Sequence, residues 1–239
     1  MKTLLNPGDS TRPVFISLAA MLLLSLSVST VHAQDTPVRV IRSENPRCHS
    51  DPPLIYKMVY RFAWNIQNMA MDPETGVVMD SARVRLAIRL YTNIIKACPF
   101  PFVPYGSRGL AHFRLGDYDA AYADYHSALD ICPEDAWALS NLGFIHFLRN
   151  ELPQAEQVYR SAVTFDPEFL DARRNLGVVY ALQKRFQEAI DEWKTGLKFD
   201  PDNATLLFYI GSAYKDMGQE EESNRWLEKA YQINPALKN

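Results

Sequence analysis

Apolar and small residues along this chain return at helical spacing. In one stretch after another they fall three, four or eight residues apart, which is one face of an α-helix. The run "SARVRLAIRLYTNIIKAC" shows the spacing, and so do "YDAAYADYHSALDIC", "LPQAEQVYRSAVTFD" and "FQEAIDEWKTGLKFD". Between such runs stand short turn signals: "LGDYD", "RNELP", "QKRF" and "MGQEE". The pattern predicts antiparallel helix pairs joined by tight turns.

The pairs repeat on a fixed ruler. Pro99, Pro133, Pro167, Pro201 and Pro235 are each 34 residues apart, and a fixed period of this size means stacked supersecondary units. Twelve residues before each proline sits a small residue: Ala87, Ala121, Ala155, Ala189 and Ser223. Eight before it sits a large one: Tyr91, Tyr125, Tyr159, Trp193 and Leu227. Glycine stands 24 before it in four units, at Gly109, Gly143, Gly177 and Gly211. Small residues let two helices approach closely, and large ones fill the adjoining holes. Proline ends one helix and sets the turn to the next.

Period and residue types together resemble the tetratricopeptide repeat family, whose unit is a 34-residue helix–turn–helix. The resemblance implies an all-α, right-handed superhelical solenoid of about five repeats. Four units fit the pattern, 102–135, 136–169, 170–203 and 204–237. A first unit, 54–101, diverges: its two helices are separated by the long loop "DPETGVVMDS". Two residues depart from the family pattern. Arg108 stands where leucine is usual, and Gly196 where alanine is expected. The last helix carries Glu221, Glu222, Asn224, Arg225, Glu228 and Lys229 off its packing face, so it is expected to cap the array.

The repeated residues are explained by packing, so function is sought in what varies. In this family the first helices of the units line a concave groove where partner peptides lie. Carried over residue by residue, that groove is expected to include Leu110, Phe113, Trp137, Asn141, Phe144, Phe147, Arg174, Asn175, Val178 and Phe208. The first helix of the third unit, "AWALSNLGFIHFL", is apolar nearly all round. Either another layer covers it or it presents a patch to a partner. Trp137 is the natural anchor, and Asn141 and Asn175 have donors and an acceptor to offer a peptide backbone. The same patch is also suited to a second copy of the chain in a homodimer. The family's clamp for acidic chaperone tails does not carry over. Gly106, Leu110, Asn141, Asp171 and Asn175 occupy its places, and Asp171 repels a carboxylate.

Composition alters this picture little. Charged residues are 22% and the formal net charge is −3, which leaves no basic footprint for nucleic acid. No metal, cofactor or catalytic constellation is expected. His112 and His146 occupy equivalent packing places, and no phosphate loop, nucleophile elbow or metalloprotease motif occurs.

The amino terminus does add something. Lys2 and Arg12 precede an apolar run from Val14 to Val28, followed by small residues at Val31 and Ala33. That is the order of a secretory signal peptide cleaved after Ala33, so the protein is expected in a periplasm or outside the cell, without a membrane span once the signal is removed. Residues 34–53 read as an extended arm. Export permits disulfides among Cys48, Cys98 and Cys132. Cys48 precedes the first helix of unit one and Cys98 ends its second. The expected bridge is therefore Cys48–Cys98, with Cys98–Cys132 too far apart to form.

Overall fold

The computed structural model describes residues 54–72, 77–98 and 101–238. The expected signal peptide, the arm and Cys48 lie outside them. Among the described residues ten α-helices follow one another: α1 (Leu54–Met69), α2 (Ser81–Ala97), α3 (Phe102–Arg114), α4 (Tyr118–Ile131), α5 (Ala136–Leu148), α6 (Leu152–Phe165), α7 (Leu170–Leu182), α8 (Phe186–Gly196), α9 (Ala204–Asp216) and α10 (Glu220–Ile233). Each odd-numbered helix packs on the even one after it, and each pair packs on the next, giving the expected all-α solenoid of five hairpins.

Helix starts are fixed by short acceptors. Asp80, Asp117, Asp135 and Asn203 each accept a hydrogen bond from a backbone amide of the first turn. Turns within the four regular units share one device. Gly116, Asn150, Lys184 and Gly218, again 34 apart, all have positive φ, between 59° and 79°. Glycine and asparagine adopt this left-handed conformation at little cost; lysine does not.

The core forms where the small residue of one helix meets the ring of another. At Gly177 a β-carbon would lie 2.3 Å from Trp193 Nε1, so glycine alone admits the fully buried indole. That indole nitrogen donates to the carbonyl of Arg174 at 3.0 Å.

Both departures from the family pattern have a physical reason. Arg108 meets Asp124, a buried carboxylate on α4: its Nε donates to Oδ2 at 2.8 Å and its Nη2 to Oδ1 at 2.6 Å. A third donation reaches Thr92 Oγ1 at 3.0 Å. The hydrogen bond to Asp124 raises the Arg108 pKa above its ordinary value, so the guanidinium stays charged. At the other departure, α8 stops at Gly196, while the equivalent helices of neighbouring units continue to the second residue before their proline. A turn replaces the missing residues, with the Phe199 amide donating to the Gly196 carbonyl at 3.0 Å. A β-carbon on Gly196 would approach Leu206 Cδ1 to 2.8 Å.

The long loop of the first unit folds back on itself. Met71 and Val78 form an isolated antiparallel bridge, and the Asp72 amide donates to the Val77 carbonyl at 2.8 Å. The two ends of the array differ. On α10, Glu221, Asn224, Arg225, Glu228 and Lys229 are exposed, as a terminal cap requires. On α1, Ile55, Met58, Phe62 and Met69 are each more than half exposed.

The cysteine pairing differs from expectation. Cys98 is a free thiol, so the Cys48–Cys98 bridge is not formed, and Cys132 is the disulfide-bonded cysteine. The hairpin argument placed the arm beside the end of α2. The engaged cysteine instead ends α4, fully buried among Phe102, Ala128 and Ala138. Among the described residues no helix is long and apolar enough to cross a membrane.

Candidate functional site

The first helices of the units are α1, α3, α5, α7 and α9. They meet one another across unit boundaries, α1 with α3 and α5 with α7. These contacts set the first helices side by side along one face of the array, where the expected groove residues belong.

Those residues divide into two groups. Leu110, Phe113, Trp137, Asn141, Phe144, Phe147 and Arg174 are half-buried and keep some surface. Asn175, Val178 and Phe208 do not: they are 9%, 1% and 8% exposed. Val178 lies in the main core, against which Phe144 and Phe147 pack. The Phe208 ring packs on Tyr209 and Tyr231. Both side chains are covered by apolar neighbours rather than left open on the face.

The open part is a row of rings. Phe113 and Phe144 approach to 5.5 Å between centroids, and Phe144 stacks on Phe147 at 6.0 Å with 14° between planes. Tyr118 extends the row, its ring 5.3 Å from Phe113. Sequence reasoning missed Tyr118. It is the first residue of α4, outside the first helices of the units, and the turn before it brings it alongside. Trp137 stands at the other end. It meets Tyr125 edge-on at 5.9 Å and packs on the cluster around Cys132. The almost wholly apolar α5 is thus accounted for: it packs on α4, α6 and α7, and what remains is this ring-lined face.

The polar groups of the groove are largely committed. Asn141 Nδ2 donates to the carbonyl of Trp137 at 2.7 Å, within its own helix. One of its two N–H donors is thus engaged within α5. Arg174 pairs with Asp171 at 3.0 Å. Asn175 faces the phenol of Tyr159, whose pKa burial pushes well up, so Tyr159 stays protonated. Arg114, on α3, donates to Asn68 Oδ1 at 3.1 Å; burial holds its pKa below the ordinary guanidinium value.

The two histidines compared in the sequence also have acidic neighbours. His146 Nδ1 lies 2.6 Å from Glu151 Oε2, and His112 Nδ1 lies 3.4 Å from Asp117 Oδ2. Among the described residues no group of three or more His, Cys, Asp or Glu side chains is placed to hold a metal ion.

The chemistry of the face is therefore that of recognition: flat apolar rings with few free polar groups, suited to burying side chains of another protein. Comparison with known proteins agrees with this class. Family models described as TPR repeat or tetratricopeptide repeat match residues 109–149 and 180–218, 136–165, and 204–237. The chain belongs to the tetratricopeptide repeat family, a fold that serves as a protein–protein interaction scaffold and is generally non-catalytic. No curated protein matches the sequence.

Several solved structures share the fold. A crystal structure of MamA superposes with a TM-score of 0.60 at 22% identity, covering 65% of this chain and 91% of that one. MamA from Desulfovibrio magneticus RS-1, residues 41 to the end, gives 0.59 at 16% identity, with 76% and 98% covered. YrrB, described as a TPR protein with an unusual peptide-binding site, gives 0.59 at 19% identity, with 74% and 85% covered.

Proposed function

We propose that this chain is an exported, non-catalytic scaffold that holds a peptide or helix of a partner protein on its concave face. The row Phe113–Phe144–Phe147 carries the reading. Three phenyl rings on two successive first helices, one on α3 and two on α5, give a continuous apolar strip, and such strips, rimmed by polar residues, mark interaction sites. Export rests on the apolar run Val14–Val28 followed by Val31 and Ala33. The intrahelical contacts of Asn141 and Arg174 support a non-catalytic role. YrrB, whose structure is described with a peptide-binding site, shows that a solenoid of this kind can be put to such use.

The test is retention from a native envelope extract by the immobilised full chain. Phe144→Ala with Phe147→Ala should lose a partner that the wild type and an outer-face variant, Gln157→Ala, both retain. Equal retention by all three overturns the reading. Sedimentation of the same preparations separates a foreign partner from self-association: a stable dimer dissolved by Trp137→Ala makes the second copy the occupant instead.

A further inference from the structure

We propose that the first hairpin, α1 with α2, is a docking surface for an anionic lipid bilayer, with the exposed face of α1 lying in the plane of the bilayer surface. Ile55, Met58, Phe62 and Met69 recur at helical spacing along α1. At about 100° per residue they fall within about 60° of one another. The other side of the helix is occupied. Ala63 packs with Ala87 and Tyr91 of α2, and Gln67 accepts from the Tyr91 hydroxyl at 3.1 Å. The stripe therefore looks away from the array, and it runs on into further apolar surface. The Met79 amide donates to the Ala70 carbonyl at 2.8 Å, which brings Met79, itself 73% exposed, to the Met69 end of the helix.

Charge sets this hairpin apart. In the whole chain acidic residues outnumber basic ones, 28 to 25. Yet α1 carries Lys57 and Arg61, α2 carries Arg83, Arg85, Arg89 and Lys96, and neither helix holds an acid. All six cations are exposed. Two of them border the stripe. Arg61 stands about 60° round the helix from Met58, and Arg83 Nη1 donates to the Met69 carbonyl at 3.3 Å. The acids between the two helices are Asp72, Glu74 and Asp80, and Asp80 is taken up by Arg83 at 3.1 Å. An apolar helix face bordered by cations has the chemistry that an anionic bilayer surface recognises. Its apolar side chains enter the acyl boundary while its cations meet the headgroups.

A second copy of the chain is a poorer match. Set face to face, two such hairpins bring like charges together. Set head to tail, the stripe meets α10, whose exposed face carries Glu221, Asn224, Arg225, Glu228 and Lys229. That face is polar where the stripe is apolar. A bilayer supplies apolar depth and negative charge together. It needs no shape complementarity to a ridge on which Phe62 and Met69 stand 58% and 69% exposed.

The test is vesicle binding by the purified full chain, read by flotation. Phosphatidylcholine vesicles containing phosphatidylglycerol should bind it at least about tenfold more tightly than phosphatidylcholine alone, and raised salt should weaken that binding. Met58→Asp with Phe62→Asp should lower affinity for the anionic vesicles about tenfold or more, and so should Arg85→Glu with Arg89→Glu. All four side chains are exposed, so both variants should keep the wild-type circular dichroism. A photo-crosslinking phenylalanine analogue at 62 should give a lipid adduct, and the same analogue at Asn224 on α10 should give none. Equal affinity of wild type and either variant, or no preference for the anionic vesicles, overturns the proposal. So does an adduct from 62 to a second chain instead of lipid, which makes that copy the occupant. Phe144→Ala with Phe147→Ala should bind vesicles as wild type does, so this result and the proposed function stand or fall apart.

Discussion

Gly177→Ala isolates the packing rule that holds the units together. The added β-carbon would lie 2.3 Å from Nε1, 2.6 Å from Cε2 and 2.8 Å from Cδ1 of Trp193. Trp193 cannot yield cheaply. Its ring is fully buried, tilts against Tyr209 at 5.3 Å, and donates to the Arg174 carbonyl at 3.0 Å. Forcing a methyl into such a site costs about 1–3 kcal/mol. Breaking the indole hydrogen bond while leaving its donor buried costs about 1–3 kcal/mol more. The better helix propensity of alanine returns about 1 kcal/mol. The expected balance is a loss of about 1–5 kcal/mol, centred near 3. At about 2–4 °C per kcal/mol for a chain of this size, the midpoint should fall by about 5–10 °C. Gly143→Ala is the control, because its β-carbon would meet the Tyr159 ring at 3.0–3.1 Å, where a small shift suffices. That variant should lie within about 1 kcal/mol of wild type, its contact strain offset by propensity. Thermal and urea unfolding followed by far-UV circular dichroism read both. A Gly177→Ala protein as stable as wild type, or no worse than Gly143→Ala, refutes the reasoning.

Two further outcomes are expected. Lys184→Gly should stabilise the protein by about 0.5–1 kcal/mol in urea unfolding, because lysine is held at a φ of 61° that costs an L side chain about 1–2 kcal/mol, part of which glycine gives back as unfolded-chain entropy; Asn150→Gly should gain less. Asp124→Ala should cost about 3 kcal/mol by stranding Arg108 without its carboxylate, while Arg108→Leu with Asp124→Ala should recover most of that loss in the same assay.

The fold was legible because its punctuation is local. Proline every 34 residues, and small residues facing rings, state helix ends and close approaches within one unit. The first unit was less legible because its loop is closed by the bridge between Met71 and Val78, which no turn motif announces. The site was legible only in part. Position within the repeat names which side chains face inward, yet how far each is covered depends on neighbours distant in sequence. Val178 and Phe208 illustrate this: Phe144 and Phe147 pack on the core that holds Val178, and Tyr231 closes over Phe208. For Asn141 the sequence offers an amide without saying where it points; its donation to the Trp137 carbonyl is a choice of rotamer within α5. The cysteine pairing failed for a related reason. Nearness along a hairpin favoured Cys98, but the engaged thiol is the one buried at the end of α4.

The central claim is that another protein is recognised on the inner curve, along Phe113, Phe144 and Phe147. It is tested most directly by placing a photo-crosslinking phenylalanine analogue at 144 or 147, and in separate chains at Gln157 on the exposed side of α6, in the organism that makes the protein. Irradiation should yield the same partner adduct from 144 and 147 and none from 157. Adducts from 157 alone, or equally from all three positions, would contradict the account.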